Sequence, residues 1–283
     1  WNDYLANGRE PRWTREPLGV DYMGHHPFEQ STHARRKAQS KPNDATIYKP
    51  MRIHFDTHLL DALTDAYPSH VDYIRNVLLP PIRSFWSEAL SIIPASKIEV
   101  PLAGRCAREI KMLSGFDIDD FTETAAGESS LVYDETDLVV IVMPMEGTAL
   151  CPTNQTVSQN QSTLAAFASN CQNDQVDRPT VGYASICFGP LELADNTTKA
   201  YQRQFSTLSH ELTHVLGMNS YDIAFFYDHA TGEPRTPRNQ LLKESLCVDG
   251  TRRTVPTPSE DTLKPITTAN GALACECGEC FIC

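Results

Sequence analysis

The chain has 283 residues, of which 41% are hydrophobic and 21% are charged, a balance typical of a globular protein with a substantial core. Its formal net charge is −12, from 24 basic and 36 acidic residues, which argues against nucleic acids or anionic membranes as partners. No apolar run approaches the roughly 20 residues that a transmembrane segment requires.

The first half of the chain predicts two strands separated by a helical region. Residues 1–50 show no sustained hydrophobic period and are predicted to form a loop-rich leader or the remnant of a pro-region. A strand is predicted within MRIHFDTHL, residues 51–59. Residues 71–93 carry apolar side chains at helical spacing, and Pro80-Pro81 in their middle predicts a kink or two helices. The next segment, DLVVIVMPM, has the length and β-branching of a buried strand.

The second half predicts a third strand and one long helix. A loop rich in Ser, Thr, Asn and Gln precedes the short apolar segment STLAAFASNC and the predicted strand RPTVGYASICF. Residues 196–217 are predicted to form one helix. Asn196, Thr197 or Thr198 would cap its start, and Gly217 would end it.

Cysteines and glycosylation sequons favour a protein of the secretory pathway, either secreted or at the cell surface. Five of the nine cysteines are dispersed, as disulfide partners usually are: Cys106, Cys151, Cys171, Cys187 and Cys247. The other four crowd into the last residues, where they would bind a metal, form disulfides with the dispersed cysteines, or belong to a variant terminus without native partners: Cys275, Cys277, Cys280 and Cys283. The candidate N-glycosylation sites are Asn154, Asn160 and Asn196.

The stretch HELTHVLG, residues 210–217, has the spacing of a zinc site with a catalytic base. Residues four apart lie on one face of a helix, so His210 and His214 can reach one Zn²⁺ at ~2.0–2.1 Å. Glu211 projects beside the metal, where a general base accepts a proton from a water that the metal activates. The competing interpretation is an accidental motif on an ordinary helix. A helix that follows a strand-rich region and ends at Gly217 favours the metal site.

With this motif in place, the chain resembles the leishmanolysin family of zinc metalloproteases, which are metzincins. The resemblance covers roughly residues 51–255 and runs through segments in the family's order: IHFDTHLL, VLLPPIRSFWSEALSIIP, DLVVIVMP, STLAAFASNCQNDQVDRPTVGYASIC and MNSYDIAFFYDHATGEPRTPR. It implies an α+β, metzincin-like catalytic domain with a twisted mixed sheet and two long helices. Residues 51–217 would form an N-terminal catalytic subdomain. Residues 218–283 would form an incomplete C-terminal subdomain with a Cys-rich tail.

The resemblance also implies an activity and a substrate. His210 and His214 match zinc ligands and Glu211 matches the base of an endopeptidase, whose substrate is a peptide or protein. RPTVGYASIC is similar to the family's edge strand, with which an extended substrate pairs. Tyr183 within it is expected to be a core or surface residue rather than a residue of the cleft.

The third zinc ligand is left open by the sequence. In the family it is a histidine that follows a long insertion, and a methionine turn lies beneath the metal. Ser220 stands where short metzincins carry their third histidine. The one histidine after His214 is His229, which is expected to be a solvated loop residue, and Met218 is the last methionine.

Three alternatives to a metzincin endopeptidase are open from the residues. A glutamate ligand, as in gluzincins, would be Glu244 in LLKESL, predicted as a short helix, or Glu233 in a Gly-Glu-Pro turn. The same fold with weak or no activity would instead serve a binding or structural role at the cell surface or in an assembly. A disulfide-rich adhesion module would leave the HELTH motif unexplained.

Overall fold

The computed structural model describes residues 48–122, 128–148, 151, 166–174, 177–219, 222–227, 233–246, 250–259 and 262. The chain divides into two compact units. The larger comprises Pro42–Asp174 and Arg178–Gly217, and the smaller includes Gln175–Asp177 and Met218–Cys283.

The elements of the larger unit are, in chain order, β1 (Lys49–Pro50), β2 (Ile53–Asp56), a 3-10 helix (His58–Leu63), α1 (Pro68–Tyr73), a π-helical segment (Ile74–Leu78), α2 (Leu79–Ala89), β3 (Ser91–Ile92), β4 (Lys97–Pro101), α3 (Arg105–Ser114), β5 (Ser130–Asp134), β6 (Leu138–Met143), β7 (Ala166–Asn173), β8 (Pro179–Ile186) and α4 (Lys199–Val215). The described part of the smaller unit has two 3-10 helices (Asp222–Phe225 and Arg238–Gln240), β9 (Leu242–Leu246) and β10 (Arg252–Pro256). None of the helices in these described ranges combines the length and apolar character needed to cross a membrane.

A four-stranded mixed sheet forms the centre of the larger unit, in the order β2-β6-β8-β7. β6 pairs in parallel with β2 and β8, whereas β7 pairs antiparallel with β8 at the end of the sheet. β6 is buried along its whole length, as its run of β-branched residues predicts. The expected α+β class with a mixed sheet is therefore confirmed.

Helices cover both faces of this sheet, and the alternation of side chains along β6 divides the core in two. Val140 and Val142 belong to a cluster with residues of α1, the π-helical segment, α2 and α4. Val139 and Ile141 face the opposite way and cluster with residues of α3, β4 and β5. The active-site helix predicted from the sequence therefore packs on the same side as the helical region that contains the two prolines.

That helical region is continuous from α1 to α2, with the π-helical segment between them. Pro80 and Pro81 lie in the first turn of α2, where a proline ring is tolerated because its missing N–H has no intrahelical partner to satisfy. The predicted discontinuity is present, and it takes the form of a π-helical turn just before the prolines.

Two sequence-based assignments are wrong. LLKESL, predicted as a short helix, contains β9, which pairs antiparallel with β10 in a hairpin. RPTVGYASIC, expected to be an edge strand, contains β8, which is paired on both sides. The edge position belongs to β7, which comes from the short apolar segment STLAAFASNC.

Gly182 in β8 allows α4 to lie close against the sheet. A Cβ at this position would lie 2.5 Å from Val215 Cγ1 and 2.6 Å from the carbonyl oxygen of Ser169, and the second contact is to rigid backbone. Gly182→Ala is therefore expected to lower the free energy of unfolding by about 1–3 kcal/mol, as overpacking does. Urea denaturation measures this change. Gly189→Ala is the matched control, because its Cβ would meet nothing within 4 Å, and equal losses in the two variants would contradict the packing argument.

A buried acid–imidazole pair lies at the end of β2. His58 Nδ1 hydrogen-bonds to the Asp56 carboxylate, and His58 Nε2 lies 2.7 Å from the carbonyl oxygen of Ile118. The Tyr133 hydroxyl donates to the other oxygen of Asp56. Because both partners of the ring only accept hydrogen bonds, the ring satisfies both of them only as the imidazolium.

This pair predicts a pH-dependent contribution to stability. Burial lowers the pKa of His58, but the hydrogen bond and charge of Asp56, aided by Asp61, outweigh it and raise that pKa above its ordinary value. Burial also raises the pKa of Asp56, but its bonds to His58 and Tyr133 hold it below the ordinary value. The His58 contribution is complete below about pH 6.5 and is lost as pH rises through the folded pKa. The Asp56 contribution is complete above about pH 3.9 and is lost as pH falls through its folded pKa.

The free energies of unfolding of wild type and His58→Gln should therefore differ more at about pH 6 than at about pH 9. His54→Gln serves as the control of opposite sign. Desolvation of His54 by burial lowers its pKa, against the charge of Asp56, which raises it. Wild type should thus lose stability relative to His54→Gln as pH falls below about 6.5. A difference between wild type and His58→Gln that stays constant with pH would show that His58 is neutral in the folded protein.

Candidate metal centre

The local sequence fixes where the candidate motif lies on α4. Thr198 caps the helix, since its hydroxyl oxygen accepts a hydrogen bond from the Tyr201 N–H at 3.1 Å. Beyond the last helical residue, Gly217 has φ = 88°, and its N–H bonds to the carbonyl of His214 at 3.2 Å. A glycine adopts this left-handed conformation without strain, so the helix ends just after the second histidine. The predicted cap and stop are both confirmed.

The two histidines lie side by side on α4. The ring centroids of His210 and His214 are 5.0 Å apart and the ring planes are perpendicular. His210 is exposed and His214 is half-buried. The helix buries a different stripe, with Leu208, Leu212 and Val215 packed on the sheet. The imidazoles are therefore neighbours outside the hydrophobic core.

Glu211 lies between α4 and the end strand of the sheet. Its carboxyl group is half-buried, and burial raises its pKa above the ordinary value for glutamate. The charges of His214 and His210 and a hydrogen bond from the backbone of Ala168 oppose this shift without cancelling it. Ala168 belongs to β7, so the carboxyl group lies near the backbone of that strand. Burial thus makes this carboxylate a stronger base than a fully solvated glutamate.

The donor chemistry fits a zinc ion in part. Two adjacent imidazoles are preferred zinc ligands, and three protein ligands are usual in a catalytic site. Within the described residues, no group of three or more His, Cys, Asp or Glu side chains is arranged to hold a metal ion. His210 and His214 could supply two ligands to such an ion, and a third would be needed to complete the site.

The other residues singled out in the sequence are distributed over both units. Tyr183 lies on β8 and is buried as a core residue. Glu244 lies on β9 and not on the expected helix. Its side chain is exposed, and its Oε2 lies 3.7 Å from Arg252 Nη1. Glu233 is exposed. Ser220 and His229 lie outside the described residues.

The dispersed cysteines behave partly as predicted. Cys106 bonds to Cys171 and Cys151 bonds to Cys187, and both disulfides belong to the larger unit. Asn196 is exposed. The remaining predicted positions fall outside the described residues: Asn154, Asn160, Cys247, Cys275, Cys277, Cys280 and Cys283.

The residue that sequence reasoning missed is Ala168, whose contribution is a backbone group rather than a side chain. The signal that could have identified β7 was the alternation in AFASN, which is short and weakly hydrophobic. Comparison with known proteins adds no functional residue: the chain matches no protein-family model, and no curated protein matches it significantly.

Proposed function

We propose that the protein is a zinc-dependent endopeptidase of the leishmanolysin type, with a metzincin-like catalytic fold. The observation that supports this most directly is the position of Glu211. It lies one residue after His210 on α4, beside two adjacent imidazoles, and its carboxyl group lies near the backbone of the end strand β7. A carboxylate base, metal-ligating imidazoles and a strand edge are among the parts that peptide hydrolysis by a metalloprotease requires.

The roles of the residues follow from this arrangement. His210 and His214 would hold the zinc ion, which when bound lowers the pKa of water and polarises the scissile carbonyl. Glu211 takes a proton from the attacking water while the oxygen of that water bonds to the carbonyl carbon. The same carboxyl group then returns the proton to the leaving amine as the C–N bond breaks.

The end strand supplies a place for the substrate. Within the described part of the chain, β7 pairs on one side only, with β8. An extended peptide adding to the outer edge would run past Ala168 and so bring its backbone close to Glu211. A peptide or protein substrate is consistent with this geometry. The two disulfides are consistent with the proposed secreted or cell-surface location.

Metal retention tests the proposal first. Purified protein should carry about one zinc per chain at about pH 7, measured by inductively coupled plasma mass spectrometry after gel filtration. His210→Ala and His214→Ala should each lose that zinc, whereas His54→Ala, a change at a histidine of β2, should keep it. A wild-type chain that holds no zinc would contradict the proposal. Retained zinc without any peptide hydrolysis would favour the binding or structural role instead.

A further inference from the structure

A groove lies on the larger unit, between the helical region α1–α2 and the segment that leads into α4. Its volume is about 730 Å³, within the size range of small-ligand sites. One wall includes Asp72, Asn76 and Pro81, and the other includes Leu193 and Asn196. None of these groups takes part in the proposed hydrolysis.

The acceptor asparagine of a glycosylation sequon is itself part of the groove wall. Asn196 begins the sequence Asn-Thr-Thr, and its side chain is exposed. A sugar joined to its amide nitrogen would start inside the groove. Leu193, three residues earlier, is 51% exposed and presents apolar surface at the same wall of the groove.

The lining has the chemistry of a neutral sugar site. Pro80, Pro81 and Leu193 offer apolar surface to the C–H face of a pyranose ring. Asp72 and Asn76, whose side chains bond to each other at 2.7 Å, offer polar atoms to its hydroxyls. The lining includes carboxylates and no lysine, arginine or histidine, so a phosphate or sulfate group would be disfavoured.

We infer that Asn196 carries an N-linked glycan whose first sugars lie in this groove and hold the α1–α2 region against the segment before α4. In the modification, the Asn196 side-chain nitrogen loses a proton and bonds to the anomeric carbon of the sugar. The bond from that carbon to the diphosphate of a lipid-linked oligosaccharide donor breaks, and the lipid diphosphate leaves. The Thr198 hydroxyl is occupied in the folded chain, donating to the Asp195 carbonyl at 2.8 Å and capping α4. The sugar transfer therefore takes place before the start of α4 folds, when the Thr198 hydroxyl has formed neither of these hydrogen bonds.

Hydrogen exchange on protein secreted from a glycosylating eukaryotic host tests this inference. Glycopeptide mass spectrometry should find Asn196 occupied, and amide exchange across 72–84 should be at least about threefold slower than in Asn196→Gln. Asn160→Gln, at a different sequon, should leave exchange across 72–84 unchanged. If Asn196→Gln does not fold, wild-type protein treated after folding with a peptide N-glycosidase, which removes the whole glycan and leaves aspartate at position 196, gives the comparison.

A second variant separates the groove from the glycan. Leu193→Ser should keep Asn196 occupied but remove the protection across 72–84. An unmodified Asn196 in the secreted protein would overturn the inference. So would an occupied Asn196 with exchange across 72–84 equal to that of the variant, since the glycan would then project into solvent and leave the groove to another occupant. Neither outcome depends on zinc or on peptidase activity.

Discussion

Glu211→Gln is expected to lower kcat for peptide hydrolysis by about 10²–10⁴-fold, the usual contribution of a general base. Glutamine has nearly the same shape as glutamate and can still accept the hydrogen bond from the backbone of Ala168. It cannot accept a proton from the attacking water. Steady-state assays with an internally quenched fluorescent peptide would measure kcat and KM separately. KM is expected to change little, because the substitution leaves β7 and both histidines unaltered.

The control for this prediction must separate loss of the base from loss of the metal. Zinc content of Glu211→Gln should equal that of wild type, because His210 and His214 remain. Glu88→Gln, a Glu-to-Gln change at an exposed position at the end of α2, should leave kcat unchanged. Activity that survives in Glu211→Gln with zinc bound would remove Glu211 from the mechanism. An equal loss of activity in Glu88→Gln would point to a general effect of the lost charge.

The parts of this fold that the sequence predicts are those where a local pattern and the tertiary environment agree. α4 has a polar cap, an apolar stripe and a glycine stop, so its bounds follow from the chain itself. β6 has six consecutive apolar residues and is buried on both faces. In both elements the hydrophobic pattern alone indicates the type of structure.

The assignments that fail are those decided by pairing between distant segments. RPTVGYASIC is apolar enough for either an edge or a central strand, and only the pairing of β8 with both β6 and β7 decides the matter. LLKESL has helix-forming residues but forms β9 because β10 lies antiparallel to it. Tertiary pairing overrides weak local propensity in both cases.

In the candidate site, too, local features follow from the sequence and contacts between distant segments do not. The spacing of His210 and His214 predicts their adjacency, because both lie on one regular helix. Glu211 and Ala168 are 43 positions apart in the chain. No local sequence pattern predicts that the carboxyl group of Glu211 lies near the backbone of Ala168. A third ligand, if it comes from a distant segment, is hidden from sequence reasoning for the same reason.

Removing the disulfide between α3 and β7 should have the largest effect on stability. The Cys106→Ala/Cys171→Ala variant releases a link across a sequence separation of 65 residues. The chain-entropy argument gives a loss of about 4 kcal/mol for a loop of this size. Both cysteines are buried in the core cluster beneath the sheet, so the two alanines also leave apolar space unfilled. Guanidinium denaturation of the variant and of wild type would measure the difference in the free energy of unfolding.

The disulfide between Cys106 and Cys171 also fixes the position of the end strand β7. The register of β7 shifts between Asn170 and Gln172, so the ladder to β8 is irregular at Cys171 itself. The bond to Cys106 therefore anchors the end strand where its register with β8 is irregular. If substrate pairs with β7, KM should rise more in Cys106→Ala/Cys171→Ala than in Cys151→Ala/Cys187→Ala. The second variant removes the other disulfide, which lies outside β7, and so controls for disulfide loss as such. Equal KM values in the two variants would indicate that the substrate binds away from this strand.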